Sequence, residues 1–407
     1  MNKQILKFGV VEENTLKQAE NCLEEAEAFC LMADNHKGYG MPVGGVAVYK
    51  DKISPAGVGF DIACGNKAVK LNVKYEDVKD RLEDIANEIW ERISFGIGQK
   101  NDTKVEHELF DSDLWDIDFY KDNQGIKATA QNQLGTIGSG NHYIDIFKDE
   151  NDFIWVGVHF GSRGLGHKTA SHFMKLAGDN VNIMDETPHC LDVNSKDGKD
   201  YIKAMTLAGL YAYAGRDWVC KTVAEIIGAE IIEEVHNHHN FAWKETHNET
   251  EYWVVRKGAT PAFPDQKGFI GGSMGDSAVI VEGVDSEISK QAFYSTVHGA
   301  GRVMSRTQAV GKKKKVKTER TKPDGTVYEF TEWKIVDKGL VDMDKVREEI
   351  RAKGIILKGA GGDEAPQVYK KLPEVLDYHK DTIKILHTLT PLVVCMAGLE
   401  EFDPYKD

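Results

Sequence analysis

Glycine-rich turns recur along the whole chain and constrain its fold more than any other feature. The 407 residues include 39 glycines, and from about residue 31 they stand between short apolar runs, as in "GMPVGGVAVYKDKISPAGVGF". Such runs are typical of strands joined by tight turns, and glycine lets the backbone approach a ligand closely. Because these motifs are spread over the chain and no fixed-period repeat or linker separates them, the sequence predicts one intertwined domain, residues 1–407.

Helical and extended segments are interspersed, which predicts an α+β fold of mixed and antiparallel sheets flanked by helices. Apolar spacing favours helices at 11–30, 76–95, 164–178, 199–229 and about 366–388. Strands are favoured at "FIWVGVHF", "EIIEEVHNHHNFAWKE", "EYWVVRKGAT", "SAVIVEG" and "PLVVCMAG". The basic run "GKKKKVK" precedes "KPDGTVYEFTEW", where Asp-Gly between β-type runs predicts a hairpin at about 311–335.

Composition narrows the function classes. A hydrophobic content of 41% and a charged content of 29% are ordinary for a globular protein, and no apolar run reaches membrane-spanning length. The first residues lack a signal-peptide core and the six cysteines show no pairing pattern, which predicts a cytoplasmic protein with reduced thiols and no membrane partner. The net charge of −14 argues against broad nonspecific binding of nucleic acid, although a local basic channel remains compatible with it.

Metal-ligand side chains stand beside glycine or asparagine in four separate segments. They are Asp61 and Cys64 in "GFDIACG", Asn141 and His142 in "SGNHYID", His159 in "GVHFGSRG", and His236, His238, His239 and Asn240 in "VHNHHNF". A single histidine more often packs in a core, but four such segments at strand ends favour a metal site. Ligand chemistry alone favours zinc over manganese. Alternation along a strand puts His239 on the face opposite His238, so a bulge is needed to bring both to one site.

Three glycine-rich segments are candidates for binding phosphate. They are "GSRGLGH" with Arg163, "GGSMGDSA" with Ser273, and "HGAGRVMSR" with His298, Arg302 and Arg306. Each can present backbone N–H groups to an anion, and two arginines four residues apart would line one face of a helix. None matches a P-loop, and none follows the dinucleotide-binding pattern. From the residues alone His298 is a candidate ligand, base, nucleophile or core residue.

Together these segments resemble the RtcB family of RNA ligases, which act in tRNA splicing and RNA repair. The matching stretches are "ADNHKGYGMPVGGVAV", "SPAGVGFDIACG", "LGTIGSGNHYIDI", "GVHFGSRGLGH", "VHNHHNF", "RKGAT", "GGSMGDSAVIVEG", "HGAGRVMSR" and "EAPQVYK". They run in family order from residue 31 to residue 370, so the resemblance covers almost the whole chain.

The resemblance implies that His298 is a nucleophile that attacks the α-phosphorus of GTP and becomes a histidine–GMP phosphoramidate. It also implies that Asp34 accepts a hydrogen bond from the other ring nitrogen of His298 and so fixes its tautomer. The implied nucleotide contacts are those of Asn141, Arg163, Asn240, Ser273, Arg302 and Tyr369, the last by stacking on the base.

The resemblance further implies two manganese ions, in place of the zinc that ligand chemistry favours. Cys64 would bridge them, with Asp61 and His142 completing one site and His159 and His239 the other. The implied substrates are RNA ends that carry a 2′,3′-cyclic phosphate or 3′-phosphate and a 5′-hydroxyl. GMP would pass from His298 to the 3′-phosphate, and the 5′-hydroxyl would then expel it. An activator of the archease type is an implied candidate partner.

Two positions depart from the family pattern at the guanine pocket. The family's Gly-Asn-His-Phe-x-Glu reads "GNHYID", so Asp145 replaces a glutamate that contacts the base. The family ends Val-Lys-Gly, whereas Ala397 stands at the lysine and an acidic tail with Lys406 follows. A shorter carboxylate and a side chain that cannot donate predict weaker selection of GTP over ATP. The basic hairpin is a third departure and resembles an insertion.

Two other function classes stay open. One is an end-capping nucleotidyltransferase or a metal-dependent phosphodiesterase that acts on RNA 3′ ends without joining them. The other is a noncatalytic RNA-binding paralogue, which predicts a lost ligand or a lost His298. Intact His298 argues against pure hydrolysis, and every candidate ligand is present.

Overall fold

Two sheets of mainly antiparallel strands form the framework, which a computed structural model describes for residues 4–102, 104–180, 187–321 and 326–398. In chain order the strands are β1 (Ile5–Lys7), β2 (Ala28–His36), β3 (Val43–Tyr49), β4 (Lys52–Ile53), β5 (Gly65–Lys74), β6 (Tyr143–Lys148), β7 (Phe153–Phe160), β8 (Leu191–Asp192), β9 (Ile231–His238), β10 (Asn240–His247), β11 (Thr250–Lys257), β12 (Ala259–Pro261), β13 (Lys267–Ile270), β14 (Ala278–Gly283), β15 (Ser295–Val297), β16 (Gly311–Thr321), β17 (Val327–Lys338), β18 (Ile356–Lys358) and β19 (Ile383–Met396).

Helices flank these strands. In chain order they are α1 (Glu13–Glu25), α2 (Pro55–Val58), α3 (Tyr75–Val78), α4 (Leu82–Arg92), α5 (Asp118–Asp122), α6 (Gly125–Gln133), α7 (Arg163–Ala177), α8 (Lys196–Ile227), α9 (Glu287–Gln291), α10 (Arg306–Val310), α11 (Met343–Ala352) and α12 (Leu372–Asp377). Short 3₁₀ turns cover Lys79–Arg81, Glu108–Asp111, Asp113–Trp115, Gly362–Glu364 and Pro366–Val368. The α+β architecture of mixed and antiparallel sheets flanked by helices is therefore confirmed.

The sheets are ordered so that strands distant in sequence become neighbours. One sheet has the order β1-β2-β3-β11-β10. The larger one runs β13-β14-β19-β6-β7-β5-β9, with β18 beside β19. Only β1 with β2 and β18 with β19 pair in parallel among the described strands. This order places the ends of β2, β5, β7 and β9, which carry the candidate site residues, near one another.

Helix α8 is the longest element and lies against the larger sheet. Ser195 caps its start by accepting a hydrogen bond from the N–H of Gly198 (3.0 Å), and Gly228 ends it in a left-handed conformation with φ +81°. Much of the helix is buried, including Arg216, whose side chain is fully enclosed. No helix in the described ranges combines the length and the apolar character that a bilayer span requires.

Strands β16 and β17 form the predicted basic hairpin, paired antiparallel from Gly311 with Lys338 to Thr321 with Val327. Pairing extends to Lys338, beyond the predicted end near 335. Residues 322–325, which hold the Asp-Gly turn, lie outside the described residues. The acidic tail with Lys406 also lies outside them. That the hairpin is an insertion into one domain of residues 1–407 stays a prediction.

Two of the predicted helices were wrong in part. The helix predicted at 11–30 ends at Glu25, because residues from Ala28 onward form the buried strand β2 and pair with β3. The helix predicted at about 366–388 reduces to a 3₁₀ turn and α12, since the chain from Ile383 onward pairs with β14 and then with β6. In both places cross-strand pairing prevails over local helical spacing.

Candidate active site and metal centre

A cleft of about 700 Å³ lies where several strand ends meet. Its lining includes Asp61, Cys64, Asn141, His142, Tyr143, Asp145, His159, His239, Asn240, Ser273, His298, Arg302 and Tyr369. The volume is in the range that encloses a small-molecule ligand. The structure thus brings nearly all the sequence-predicted site residues to one place, and Arg163 is the exception among those expected to face it.

His298 is tied to Asp34 by both its backbone and its ring. The Nδ1 of His298 lies 2.7 Å from Oδ2 of Asp34, which also accepts from the backbone N–H of His298 at 3.0 Å and of Gly299 at 3.3 Å. Asp34 is fully buried. Burial acts to raise the pKa of Asp34, but the charge and hydrogen bonds of His298 hold it below its usual value. An ionised Asp34 keeps a proton on Nδ1 and leaves the Nε2 lone pair of His298 available.

Cys64 stands between two groups of ligand-type side chains. Its Sγ lies 3.6 Å from Nε2 of His142 and 3.5 Å from Nε2 of His159. The ligand atoms of Cys64, His159 and His239 lie within 4.8 Å of one another, as do those of Asp61, Cys64 and His142. Both groups include Cys64, and their sulfur, carboxylate and imidazole atoms are donors that divalent cations accept.

Polar side chains behind the ligands fix their orientation. Nδ1 of His159 lies 2.6 Å from Oδ1 of Asn66, which makes Nδ1 the donor and leaves Nε2 free to bind a cation. The buried guanidinium of Arg216 donates to the carbonyl oxygens of Ala63 (3.1 Å) and Phe160 (2.6 Å). The Ala63 carbonyl immediately precedes Cys64 and the Phe160 carbonyl immediately follows His159, so Arg216 holds the backbone next to both ligand-type residues.

His236 and His238 belong to this supporting layer and not to the ligand groups. Arg216 contacts Nε2 of His236 at 2.9 Å and Nδ1 of His238 at 2.8 Å. His239 occupies the break between β9 and β10, where its N–H donates to the carbonyl of Cys64 at 2.8 Å. The strand interruption resolves the facing problem that alternation raised, because it turns His239 alone toward Cys64.

Burial sets the ionisation of the ligand groups. It lowers the pKa values of His159 and His239 well below the usual value, so both imidazoles are neutral and offer lone pairs. Burial, together with the charge of Asp61, raises the pKa of the Cys64 thiol. A cation bound here would therefore displace the thiol proton.

Close backbone packing shapes the cleft. Gly301 has φ +76°, and a Cβ there would lie 2.1 Å from the carbonyl oxygen of Asp34. Ala63 adopts φ +61°, which is unusual for a residue with a side chain and turns the chain immediately before Cys64. Gly301, the second glycine of "HGAG", is thus required for the close approach of the His298 loop to β2.

The candidate phosphate-binding residues differ in their availability. Asn141 donates to Nε2 of His159 (3.3 Å) and Asn240 to the carbonyl of Asp61 (3.3 Å), so both amides sit beside the ligand groups. Ser273 donates to Asp276 at 2.7 Å. Arg163 instead bonds the carbonyl of Gly96 at 2.8 Å and Thr136 at 3.2 Å, and would have to leave these partners to reach the cleft.

Arg302 and Arg306 lie on the same wall but not on one helix, because α10 begins only at Arg306. Arg302 donates to the carbonyl of Asp363 at 2.8 Å, and its guanidinium lies 5.3 Å from the centre of the Tyr369 ring. Arg306 pairs with Asp363 at 3.0 Å and also with Glu364. The hydroxyl of Tyr369 donates to Glu364 as well.

Buried polar atoms without hydrogen-bond partners also line the cleft. The hydroxyl of Tyr143 and Oδ1 of Asp145 are buried and have no hydrogen-bond partner among the described residues. Burial raises the pKa of Asp145 well above its usual value. Val394 and Met396 stand opposite these two residues across the β6–β19 pair, whereas Ala397 packs into the hydrophobic core. Buried polar atoms without partners are typical of a surface completed by a ligand.

Four residues near the site were not singled out from the sequence. His36 lines the cleft, and its Nδ1 lies 3.1 Å from the carbonyl of Asp34, so one residue holds both His36 and His298. Asn66, Arg216 and Glu364 support the ligands and the arginines. His36 follows Asp34 by two residues at the end of a strand, and that spacing was an available signal; the other three depend on contacts between distant segments.

The chain is similar to known proteins over most of its length. A family model described as tRNA-splicing ligase RtcB matches residues 16–118 and 114–355. The tRNA-splicing ligase RtcB of Methanococcus maripaludis is 30% identical over 463 residues, which covers 93% of this chain and 90% of the relative. The RNA-splicing ligase RtcB of Escherichia coli K12 is 31% identical over 398 residues, covering 90% and 89%. The matches extend over nearly the full length of each protein.

Proposed function

The chain belongs to the RtcB family, and from that premise we propose that it is a manganese-dependent RNA ligase that works through a histidine–GMP intermediate. It would join RNA ends bearing a 2′,3′-cyclic phosphate or 3′-phosphate to 5′-hydroxyl ends, in RNA repair or tRNA splicing. The observation that carries the proposal is His298, tied to the buried Asp34 and lining the same cleft as two ligand groups that share Cys64.

The state of His298 supports its role as nucleophile. With Nδ1 bound to Asp34, the lone pair on Nε2 is the one available for attack on the α-phosphorus of GTP. The N–P bond forms as the bond to pyrophosphate breaks. The developing positive charge on the imidazole is offset by the Asp34 carboxylate, which stays in contact throughout.

The donor set fits a pair of divalent cations. Cys64 would contribute to both, with Asp61 and His142 on one side and His159 and His239 on the other. Bound manganese would neutralise charge on the triphosphate and the departing pyrophosphate. The choice of manganese over zinc rests on the family, since soft sulfur and imidazole ligands accept either.

The later stages use the same wall of the cleft. Where the RNA end carries a 2′,3′-cyclic phosphate, water first opens the ring by breaking the bond between phosphorus and the 2′ oxygen, which leaves a 3′-phosphate. An oxygen of the 3′-phosphate then takes GMP from His298, which breaks the N–P bond and regenerates the histidine. The 5′-hydroxyl then attacks the activated phosphate, forming the 3′,5′-phosphodiester and releasing GMP. Asn141, Asn240, Ser273 and Arg302 line the space around these phosphates and would hold their oxygens.

The base would lie beside Tyr143, Asp145 and Tyr369. We propose GTP as the nucleotide, as in the family pattern. Burial raises the pKa of Asp145 well above its usual value and so favours the protonated acid, which would offer one donor and one acceptor to the base. A competing preference for ATP is therefore part of the test.

All six cysteines are unpaired, which supports a reducing compartment such as the cytoplasm.

The deciding experiment is covalent labelling. The protein is incubated with manganese and GTP or ATP labelled at the α-phosphate, and acid-labile, alkali-stable label on the protein is measured. His298→Ala should abolish it, whereas His387→Ala, a histidine that does not line the cleft, should retain it. Joining is then measured on RNA ends with a 3′-phosphate and a 5′-hydroxyl, with and without an archease-type activator.

The outcomes separate the candidate functions. Labelling by GTP followed by joining supports the proposal. Labelling by ATP alone would show that the protein uses ATP and not GTP. Label without joining would favour an end-capping nucleotidyltransferase. Ligation by His298→Ala would refute the histidine intermediate, and cleavage of a cyclic phosphate with no label would favour a phosphodiesterase.

A further inference from the structure

The basic hairpin formed by β16 and β17 is fixed to the rim of the cleft. Helix α10 enters it directly, and the chain leaving it returns to the same helix. The N–H of Leu340 donates to the carbonyl of Gln308 at 3.0 Å, and that of Val341 donates to the carbonyl of Ala309 at 2.9 Å. Both ends of the hairpin are therefore held by one short helix.

Helix α10 is in turn part of the cleft wall. Arg306 and Gln308 line the cleft, and Arg306 pairs with Asp363 at 3.0 Å and with Glu364. Gly311 connects α10 to β16 at φ +81°, where a Cβ would lie 2.1 Å from the carbonyl of Asp337. This tight connection fixes the direction in which the hairpin leaves the wall.

The charge of the hairpin opposes that of the protein. Residues 311–338 carry nine lysines and arginines and five aspartates and glutamates, in a chain with a net charge of −14. Lys312, Lys314 and Lys338 are exposed and form no ion pair with a described residue, whereas Lys317 pairs with Glu329 at 2.7 Å. A surface lysine is usually a solvated group, but Lys312 and Lys314 lie near the start of β16, the strand that follows α10 of the cleft wall.

The hairpin is long. Strand β16 has 11 residues, which at about 3.3 Å each span roughly 36 Å. The pair forms a separate two-stranded sheet that is not hydrogen-bonded to the two main sheets. An isolated two-stranded ribbon buries little apolar surface, so its length is not explained by the core.

We propose that this hairpin is an arm that binds the phosphate backbone of the RNA substrate beyond its reacting ends. The inference rests on the proposed function, because the occupant of the cleft must be an RNA end whose chain leaves across the rim. A polyanion with regularly spaced charges complements a row of exposed lysines without requiring bidentate geometry. An acidic protein partner is the competing occupant.

The test compares lysine substitutions on the arm with matched substitutions elsewhere. The arm variant is Lys312→Gln with Lys314→Gln, and the control is Lys203→Gln with Lys221→Gln, two exposed lysines of α8 that do not line the cleft. Both remove two positive charges. Binding is measured over a range of salt concentrations, on a long RNA stem with a 3′-phosphate and a 5′-hydroxyl at its break and on short RNA ends that fill only the cleft.

The arm variant should weaken binding of the long RNA and reduce the slope of log affinity against log salt by about 1.4 to 1.8. The control should keep the wild-type slope, and the short RNA should bind all proteins within about twofold. An unchanged slope for the arm variant would overturn the proposal even if affinity fell, because that loss would be structural. An arm variant altered only in binding an acidic protein would overturn it in favour of the competing occupant.

Nucleotide labelling of His298 separates this proposal from the proposed function. The arm variant should label at the wild-type rate, and lost labelling would show that the lysines act in the cleft and overturn the arm assignment. A wild-type protein that binds RNA with an arm-dependent slope but never labels would refute the ligase mechanism and leave the arm in place.

Discussion

Asparagine at position 34 would test how much the buried carboxylate contributes to the reactivity of His298. Oδ2 of Asp34 accepts three hydrogen bonds, from Nδ1 of His298 at 2.7 Å and from two backbone N–H groups at 3.0 and 3.3 Å. If the amide oxygen takes this place, the bonds persist but lose the assistance of charge. If the amide nitrogen takes it, donors face donors and the His298 proton is driven to Nε2, where no lone pair remains for attack.

The two orientations bracket the expected effect. A hydrogen bond to a charged group is worth about 1 kcal/mol more than a neutral one, so losing the charge of Asp34 slows attachment by about fivefold. An aspartate-to-asparagine change that imposes the wrong histidine tautomer costs roughly 10⁴-fold in the serine-protease triad. We therefore expect nucleotide attachment by Asp34→Asn to fall by between about 5-fold and 10⁴-fold, with destabilisation of about 2 kcal/mol.

The assay is the single-turnover rate of label transfer to His298 at saturating GTP and manganese. The control is Asp149→Asn, since Asp149 is also buried and accepts from Trp155 at 3.1 Å and from the backbone, but does not line the cleft. The control should lose stability and keep the rate. A folded Asp34→Asn protein that labels within about threefold of wild type would refute the assigned role of Asp34.

Three other substitutions test the metal centre, its support and a buried histidine. Cys64→Ala should abolish manganese binding in equilibrium dialysis, because both ligand groups include its sulfur. The control Cys30→Ala removes another buried thiol and should keep the metal. Metal retained by Cys64→Ala would contradict the assignment of Cys64 as the shared ligand. Arg216→Met should lower the free energy of unfolding by about 3 kcal/mol, since three buried acceptors and the half-buried His236 lose their donor. An unchanged urea midpoint would contradict this. Burial lowers the pKa of His379 to about 4 from 6.5, so the unfolded chain binds the extra proton between these values and stability falls by up to about 3 kcal/mol as the pH drops through them. His379→Gln should flatten this dependence in urea unfolding, and an unchanged slope would show that His379 does not cause it.

The sequence revealed the chemistry of the site better than its mechanical support. Cys64, His142 and His159 could be identified because each lies near glycine or asparagine and near the end of a strand, a local pattern. Arg216 could not, because a guanidinium in the middle of a long helix looks like any surface arginine until the fold buries it against two carbonyl groups. Only tertiary packing distinguishes these cases.

The errors in secondary structure have a related origin. The run from Ile383 to Met396 contains β-branched residues that favour a strand, but apolar spacing in the preceding segment suggested a helix. Strand β19 lies between β14 and β6 in the larger sheet, and this central position decides its conformation. Neighbours that are more than 100 residues away in the chain cannot be read from a local window.

The order of the strands has a consequence for how the protein folds. Residues from Glu12 to Met396 line the cleft, so no contiguous half of the chain contains all of it. Contacts between such distant segments form slowly, because the entropy cost of closing long loops precedes the stabilisation from the contacts themselves. Helical signal from α8 should therefore recover early in refolding, and nucleotide attachment should recover last. The rate at which nucleotide attachment to His298 recovers would therefore report when the native strand order is complete.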